Sequence, residues 1–285
     1  MILKNLLVFF AAMFYMCAAV AETVALKTAR AQCLVDLDGA RVVSFSVGGK
    51  ELLWNDKPPQ KAAADWAHGG IPVCWPFFGV DADGKIHGVA WRRRFTALSR
   101  SECPERSRLV MELREGDARL EYSVVITDKL MLEMTTENSG TNLFRCSYGY
   151  HPYFLVGERD RCTINGADGF PFEDDPSVVN GERGLQRGAV ELAQNIDRIF
   201  SLPEAACRTF VLNDAVCKRT ISVISEGATH LNVWNPGAAK NCPGKVPGDE
   251  WRRFVCVEPI VLALEVPPRG RKTLKMTVEV NEVEK

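Results

Sequence analysis

Short runs of alternating apolar and polar residues, each cut off by turn residues, dominate this chain and leave it few ways to fold. Residues 41–47 alternate as Arg41-Val42-Val43-Ser44-Phe45-Ser46-Val47 and run into Gly48-Gly49, a strand followed by a hairpin signal. Residues 108–113 and 118–126 alternate on either side of Glu115-Gly116-Asp117, which reads as a second hairpin. Residues 130–136 set Leu130, Leu132 and Met134 against Met131, Glu133 and Thr135, and a turn follows at 138–142. Further strands are expected at 220–225, 231–234, 254–257 and 274–280. Alternation of this kind gives each strand one core face and one solvent face. Helical periodicity is weak, with only 202–207 and the stretch after Lys61 as candidates. Strands at this spacing predict an all-β sandwich.

The amino terminus reads differently. Lys4 supplies a positive start, residues 6–20 are almost wholly apolar, and Ala19-Val20-Ala21 is followed by Glu22. This is the pattern of a secretory signal peptide, residues 1–21, cut after Ala21. The apolar run is short for a spanning helix, which needs about 20 residues. Cys17 follows Tyr15 and Met16, so the small residue that a lipoprotein signal wants is missing. The expected mature chain, 22–285, carries no linker or repeat and is read as one exported domain. Residues 237–248, rich in Gly and Pro, are expected to form a long loop beside a site. A net charge of -1 with 25% charged residues argues against a nucleic-acid groove or a basic membrane surface. The small-molecule partner is sought instead among the residues of a pocket.

Nine cysteines remain after residue 21: Cys33, Cys74, Cys103, Cys146, Cys162, Cys207, Cys217, Cys242 and Cys256. Export permits disulfides, and an odd number leaves at least one thiol unpaired within the chain. No CxxC spacing occurs, so no zinc-ribbon site is indicated. Cys74, Cys146 and Cys256 lie inside apolar runs and read as small buried hydrophobes.

Four histidines are present: His68, His87, His151 and His230. His151 sits in Tyr148-Gly149-Tyr150-His151-Pro152-Tyr153-Phe154. A histidine among aromatics is often a satisfied core residue, and it can also be a general acid beside a sugar whose apolar face stacks on the rings. Glu258 ends the run Phe254-Val255-Cys256-Val257-Glu258-Pro259. A carboxylate there either points to solvent or is buried with a task, and burial would raise its pKa toward that of a useful base. There is no GxSxG elbow, HExxH, P-loop or GxGxxG ahead of a helix.

The most distinctive text is Gly69-Gly70-Ile71-Pro72-Val73-Cys74-Trp75-Pro76-Phe77-Phe78-Gly79, followed by His87-Gly88-Val89-Ala90. Together with Tyr150-His151-Pro152-Tyr153-Phe154, Ile196-Asp197-Arg198-Ile199-Phe200, Val233-Trp234-Asn235-Pro236 and Val255-Cys256-Val257-Glu258, it resembles the hexose-6-phosphate mutarotase branch of the aldose 1-epimerase superfamily. The blocks occur in the family's order over roughly residues 40–270. The resemblance implies a galactose-mutarotase-like antiparallel β-supersandwich and a cofactor-free, metal-free isomerase that exchanges sugar anomers. It implies His151 as catalytic acid, Glu258 as catalytic base, and Asp197 and His87 as groups that hold sugar hydroxyls or support the acid. Trp75, Phe77, Trp91 and Trp234 are candidate stacking surfaces, each of which could equally be core.

Two positions depart from the family pattern. His68 stands where the family usually has arginine, and Trp91 stands where the His-Gly-x-Ala block usually ends in arginine. Arginine suits phosphate because its planar fork makes two charged hydrogen bonds at once. Arg92, Arg93 and Arg94 follow directly, and a shift of one residue could restore a contact. These departures and the signal peptide together point to an unphosphorylated hexose. The alternative is a carbohydrate-binding β-sandwich without catalysis, which would have no need of an acid and a base together.

Overall fold

The computed structural model describes residues 22–56, 68–81, 83–176, 181–192, 195–204, 207–238, 246 and 248–282. The expected signal peptide, the stretch after Lys61, Cys242 and most of 237–248 lie outside the described residues. The described chain folds into antiparallel sheets. A nine-stranded sheet takes, in spatial order, Val190–Glu191, Cys162–Asn165, Arg208–Asp214, Arg219–Glu226, Arg271–Glu282, Leu130–Asn138, Ala118–Ile126, Ser107–Glu115 and Thr96–Glu102. An eight-stranded sheet takes Arg183–Leu185, Pro171–Asp174, Ile196–Ser201, His230–Asn235, Phe254–Val266, Phe144–Tyr150 and Val73–Cys74, with Tyr153–Leu155 also paired to Phe254–Val266. Four shorter strands, Thr23–Lys27, Ala31–Asp36, Arg41–Val47 and Lys50–Glu51, form a third sheet.

The expected alternation is visible in the nine-stranded sheet. Ala118, Leu120, Tyr122, Val124 and Ile126 are buried, and Arg119, Glu121 and Ser123 between them are partly open. Buried residues from all three sheets share one core. Two paired polar contacts cross it: Trp75 Nε1 donates to Thr136 Oγ1 (3.0 Å) and Tyr150 Oη donates to the Leu274 carbonyl (3.0 Å). Both bonds join the eight-stranded sheet to the nine-stranded one, and such pairing is what lets polar atoms stay buried.

Two expectations need correction. Leu202–Glu204 is not helical, and among the described residues only three short 3₁₀ turns occur, Ala90–Arg92, Arg159–Arg161 and Glu250–Arg253. The strand expected at 254–257 runs on through Pro259 to Val266. Its first eight residues are all buried, so both faces are covered and alternation disappears. The possible export-driven disulfides do not form among Cys33, Cys74, Cys103, Cys146, Cys162, Cys207 and Cys217, which are free thiols. Cys74, Cys146 and Cys256 are buried, as their apolar runs implied.

Candidate active site

The long strand Phe254–Val266 organises the site. Its upper part pairs with Phe144–Tyr150, where Gly149 faces Ile260. Its lower part pairs with Tyr153–Leu155, where Tyr153 faces Cys256. The two registers are the same, since 149 and 260 and 153 and 256 both sum to 409. His151 and Glu258 also sum to 409, so the interrupted ladder brings them opposite one another. On the other edge, His230–Asn235 pairs so that Asn232 faces Glu258 and Trp234 faces Cys256. The next strand sets Asp197 opposite Trp234. Side chains two apart on a strand share a face. One face of the sheet therefore carries His151, Tyr153, Cys256, Glu258, Asn232, Trp234 and Asp197.

On that face, His151 Nε2 lies 3.6 Å from Glu258 Oε2. Glu258 has no solvent exposure and His151 is 5% exposed. Asn232 Nδ2 donates to Glu258 Oε1 at 3.3 Å, and Oε2 accepts no hydrogen bond among the described residues. Burial pushes the Glu258 carboxyl well up, helped by the nearby Asp197 charge and opposed by the Asn232 bond. Burial pushes the His151 imidazole well down, with His87 and His68 adding to it. Asp197 is pushed up to about 7, chiefly by burial and then by Asp175, with the Asn232 amide acting the other way. A desolvated pair of this kind favours the arrangement in which both partners are neutral.

Aromatic rings fix the imidazole. His151 stacks on Tyr153 at 4.8 Å and meets Trp234 and His87 edge-on at 5.6 and 5.3 Å. His68 Nδ1 shares a hydrogen bond with Tyr153 Oη at 2.8 Å, and its ring stacks on Trp234 at 5.9 Å. His87 adopts φ 54°, a left-handed conformation that is rare outside glycine. Its Nδ1 accepts from the Gly79 N–H at 3.1 Å, which fixes Nδ1 as the unprotonated nitrogen. Burial lowers its pKa to about 3, with a contribution from His68. Gly88, next along, has φ 69° and comes so close to the Trp75 carbonyl that a Cβ would lie 2.5 Å from it. This is why the His-Gly pair is needed where the chain turns under the site.

Of the expected site residues, the fold gathers His151, Glu258, Asp197, His87, His68 and Trp234. Trp234 is 8% exposed and carries the rings of His68 and Phe254 (5.8 Å), so it is a wall that holds the imidazoles. Trp91 donates Nε1 to the Ile86 carbonyl (3.0 Å) and packs with Cys74, Phe78 and Ile86. The Arg92 guanidinium lies over the Trp91 ring at 5.1 Å. Arg93 pairs with Glu115 (2.6 Å), and Arg94 pairs with Asp38 (3.3 Å) and Glu22. Trp75 is corrected: it is fully buried in the core and hydrogen-bonded to the opposite sheet, so it cannot stack on a sugar. Asn232, Tyr153 and Cys256 were not singled out as site residues. A polar side chain inside the apolar text Leu231-Asn232-Val233-Trp234 was the available signal for Asn232.

His151, Cys256 and Glu258 bring one nitrogen, one sulfur and one oxygen within 4.8 Å of one another, a set able to ligate a metal ion. A separate cavity of about 510 Å³ lies beyond Trp54, bordered by Ser44, Glu51, Leu53, Asn55 and Arg253. No expected site residue lines it.

Residues 22–261 match the family model described as aldose 1-epimerase. A Salmonella typhimurium protein named "Putative glucose-6-phosphate 1-epimerase" is 32% identical over 238 residues, 79% of this chain and 78% of that protein. An Escherichia coli protein of the same name is 30% identical over 237 residues, 78% of this chain and 77% of that one. Among solved structures, a Salmonella typhimurium protein titled "putative mutarotase" superposes with TM-score 0.81 at 24% identity, covering 91% of this chain and 90% of its own. Galactose 1-epimerase from Lactobacillus acidophilus superposes with TM-score 0.69 at 15% identity, covering 92% and 95%. These likenesses show the galactose-mutarotase-like supersandwich. With the profile match over most of its length and relatives at this identity, the chain belongs to the aldose 1-epimerase family, a family of isomerases.

Proposed function

We propose that the protein exchanges the α and β anomers of an unphosphorylated hexose, with Glu258 as base and His151 as acid. The observation that carries this reading is the buried 3.6 Å approach of His151 Nε2 to Glu258 Oε2. Anomer exchange needs proton transfers at two oxygens, O1 and O5, that share one carbon. A close acid–base pair on one sheet face suits that geometry. Glu258 takes the proton from the C1 hydroxyl as the C1–O5 bond breaks, and His151 delivers one to O5. The aldehyde turns about C1–C2, and closure on its other face reverses both transfers. The sugar supplies what the buried pair lacks: its O1–H donates to Glu258 Oε2, and O5 accepts from Nε2–H. These contacts favour the charged arrangement that burial opposes. Each transfer by a placed group is worth about 10²–10⁴-fold. Asp197, His87 and His68 then hold hydroxyls or support the imidazole, and no cofactor enters these steps.

The free-sugar reading rests on the two departures and on where the arginines lie. Arg93 and Arg94 are occupied by Glu115, Asp38 and Glu22, and His68 and Trp91 lack the planar fork that grips phosphate. The names of the relatives favour glucose 6-phosphate instead. Anomer exchange followed by NMR on residues 22–285, with glucose, galactose and glucose 6-phosphate in parallel, separates the two. Acceleration of a free sugar supports the proposal, and acceleration confined to glucose 6-phosphate overturns its substrate. Absence of acceleration with retained sugar binding favours the binding-module alternative. We also propose that the chain is exported and begins at Glu22 when mature; a purified protein that still starts at Met1 would rule that out.

A further inference from the structure

We infer that Cys256, His151 and Glu258 form a binding site for a thiophilic divalent cation of the zinc class, and that an ion held there blocks anomer exchange. Cys256 and Glu258 stand two residues apart on one strand, so their side chains share the face on which His151 lies. All three are buried, and their ligand atoms lie within 4.8 Å of one another. The 3.6 Å between Nε2 and Oε2 is close to the edge of a tetrahedron with arms of about 2.0–2.2 Å, roughly 3.3–3.6 Å. The two separations to Cys256 Sγ are no more than 4.8 Å, so each has to close by about 1 Å at most.

The second observation is the orphaned oxygen. Glu258 Oε2 is fully buried and accepts no hydrogen bond among the described residues, which is costly for a carboxylate unless a proton, a sugar hydroxyl or a cation meets it. One thiolate, one carboxylate and one neutral imidazole around a divalent ion make a net neutral complex, the form a desolvated pocket tolerates best. The ligand types select among ions. Mg²⁺ and Ca²⁺ want six or more oxygens, whereas thiolate with imidazole suits zinc-like ions. On binding, the Cys256 thiol loses its proton to solvent, and so does Glu258 if it is protonated. Three protein ligands leave the fourth tetrahedral position to water. The ion would hold both proton-transferring atoms, so sugar and metal exclude each other.

The site stands on its own geometry; the inhibition rests on the mutarotase reading. Cobalt(II) serves as a visible stand-in for zinc. Titrated into the metal-free chain 22–285, it should give one equivalent of a thiolate-to-cobalt charge-transfer band with tetrahedral visible absorption. Cys256→Ser should weaken that binding on the order of 10–100-fold or more, while Cys103, Cys207 and Cys217 remain in the variant as controls for other thiols. No thiolate band in the unaltered protein, or an equal band in Cys256→Ser, overturns the site. If anomer exchange is detected, zinc should slow it, excess sugar should relieve the slowing, and Cys256→Ser should be far less sensitive. Equal sensitivity of the two proteins overturns the inhibition. If no exchange is found with any sugar, the cobalt spectrum still decides the site.

Discussion

Asn232 faces Glu258 across adjacent strands and gives it the one hydrogen bond that its carboxylate accepts among the described residues, Nδ2 to Oε1 at 3.3 Å. The same amide also acts on Asp197, whose pKa it lowers against the push of burial. Its bond lowers the Glu258 pKa against the upward push of burial. Asn232→Ala removes that stabilisation of the ionised base. The acid limb of the pH–rate profile should move to higher pH. A charge-assisted hydrogen bond of about 1.5–3 kcal/mol corresponds to a loss in kcat of roughly 10–100-fold. An unshifted acid limb would show that Asn232 is only packing.

Glu258→Gln should trade activity for stability. Exchange should fall by about 10²–10⁴-fold, the usual worth of a placed base. The stability effect has a definite sign. Burial raises the folded pKa of Glu258, so above the unfolded value, about 4.3, the unfolded chain releases a proton that the folded chain keeps. The unaltered protein therefore loses stability from this group as pH rises. Glutamine lacks that loss, so the variant should gain on the parent with rising pH in urea melts. A difference that stays flat with pH would show that Glu258 is not shifted in the folded state.

The strands that show one face to solvent were the legible part of this fold. Residues 41–47 and 118–126 match observed strands end for end, because alternation records a half-buried sheet. The central strand was misjudged for the converse reason. Burial of every residue from Phe254 to Val261 erases the alternation, and Pro259 reads as a stop. It is tolerated because residues 257–259 fall in the gap between the two partner registers. The residue types of the site were legible, but not their company. The meeting of His151 with Glu258 depends on a register shared by strands over a hundred residues apart, which no local pattern encodes. Trp75 shows the limit of composition, since a tryptophan beside the site motif proved to be core.

His87 should make the protein acid-labile. Its ring is buried and neutral, accepts from the Gly79 amide, and has its pKa lowered to about 3. Between about 6.5 and about 3 the unfolded chain binds a proton that the folded chain refuses, so stability falls as pH falls through that window. One such group contributes a slope of up to about 1.4 kcal/mol per pH unit. His87→Gln should flatten the slope by that amount, and the buried His151 should leave part of it in place. Urea unfolding in steps from about pH 7 to about pH 4 measures it; equal slopes in the two proteins would show that His87 protonates freely in the fold.

Gly88 should be far less replaceable than Gly116, although both have positive φ, 69° and 58°. Alanine at 116 meets nothing within 4 Å, so only backbone strain opposes it. Alanine at 88 adds a Cβ at 2.5 Å from the Trp75 carbonyl and 2.9 Å from the Phe77 nitrogen, both backbone atoms that cannot swing aside. Gly116→Ala should cost about 1 kcal/mol and leave exchange unchanged. Gly88→Ala should cost about 1–3 kcal/mol more and also lower activity, because relieving the clash moves His87, whose ring lies against His151 at 5.3 Å. Equal midpoints in urea for the two variants would mean that the turn at Gly88 yields without strain and that His87 is held by its side chain alone.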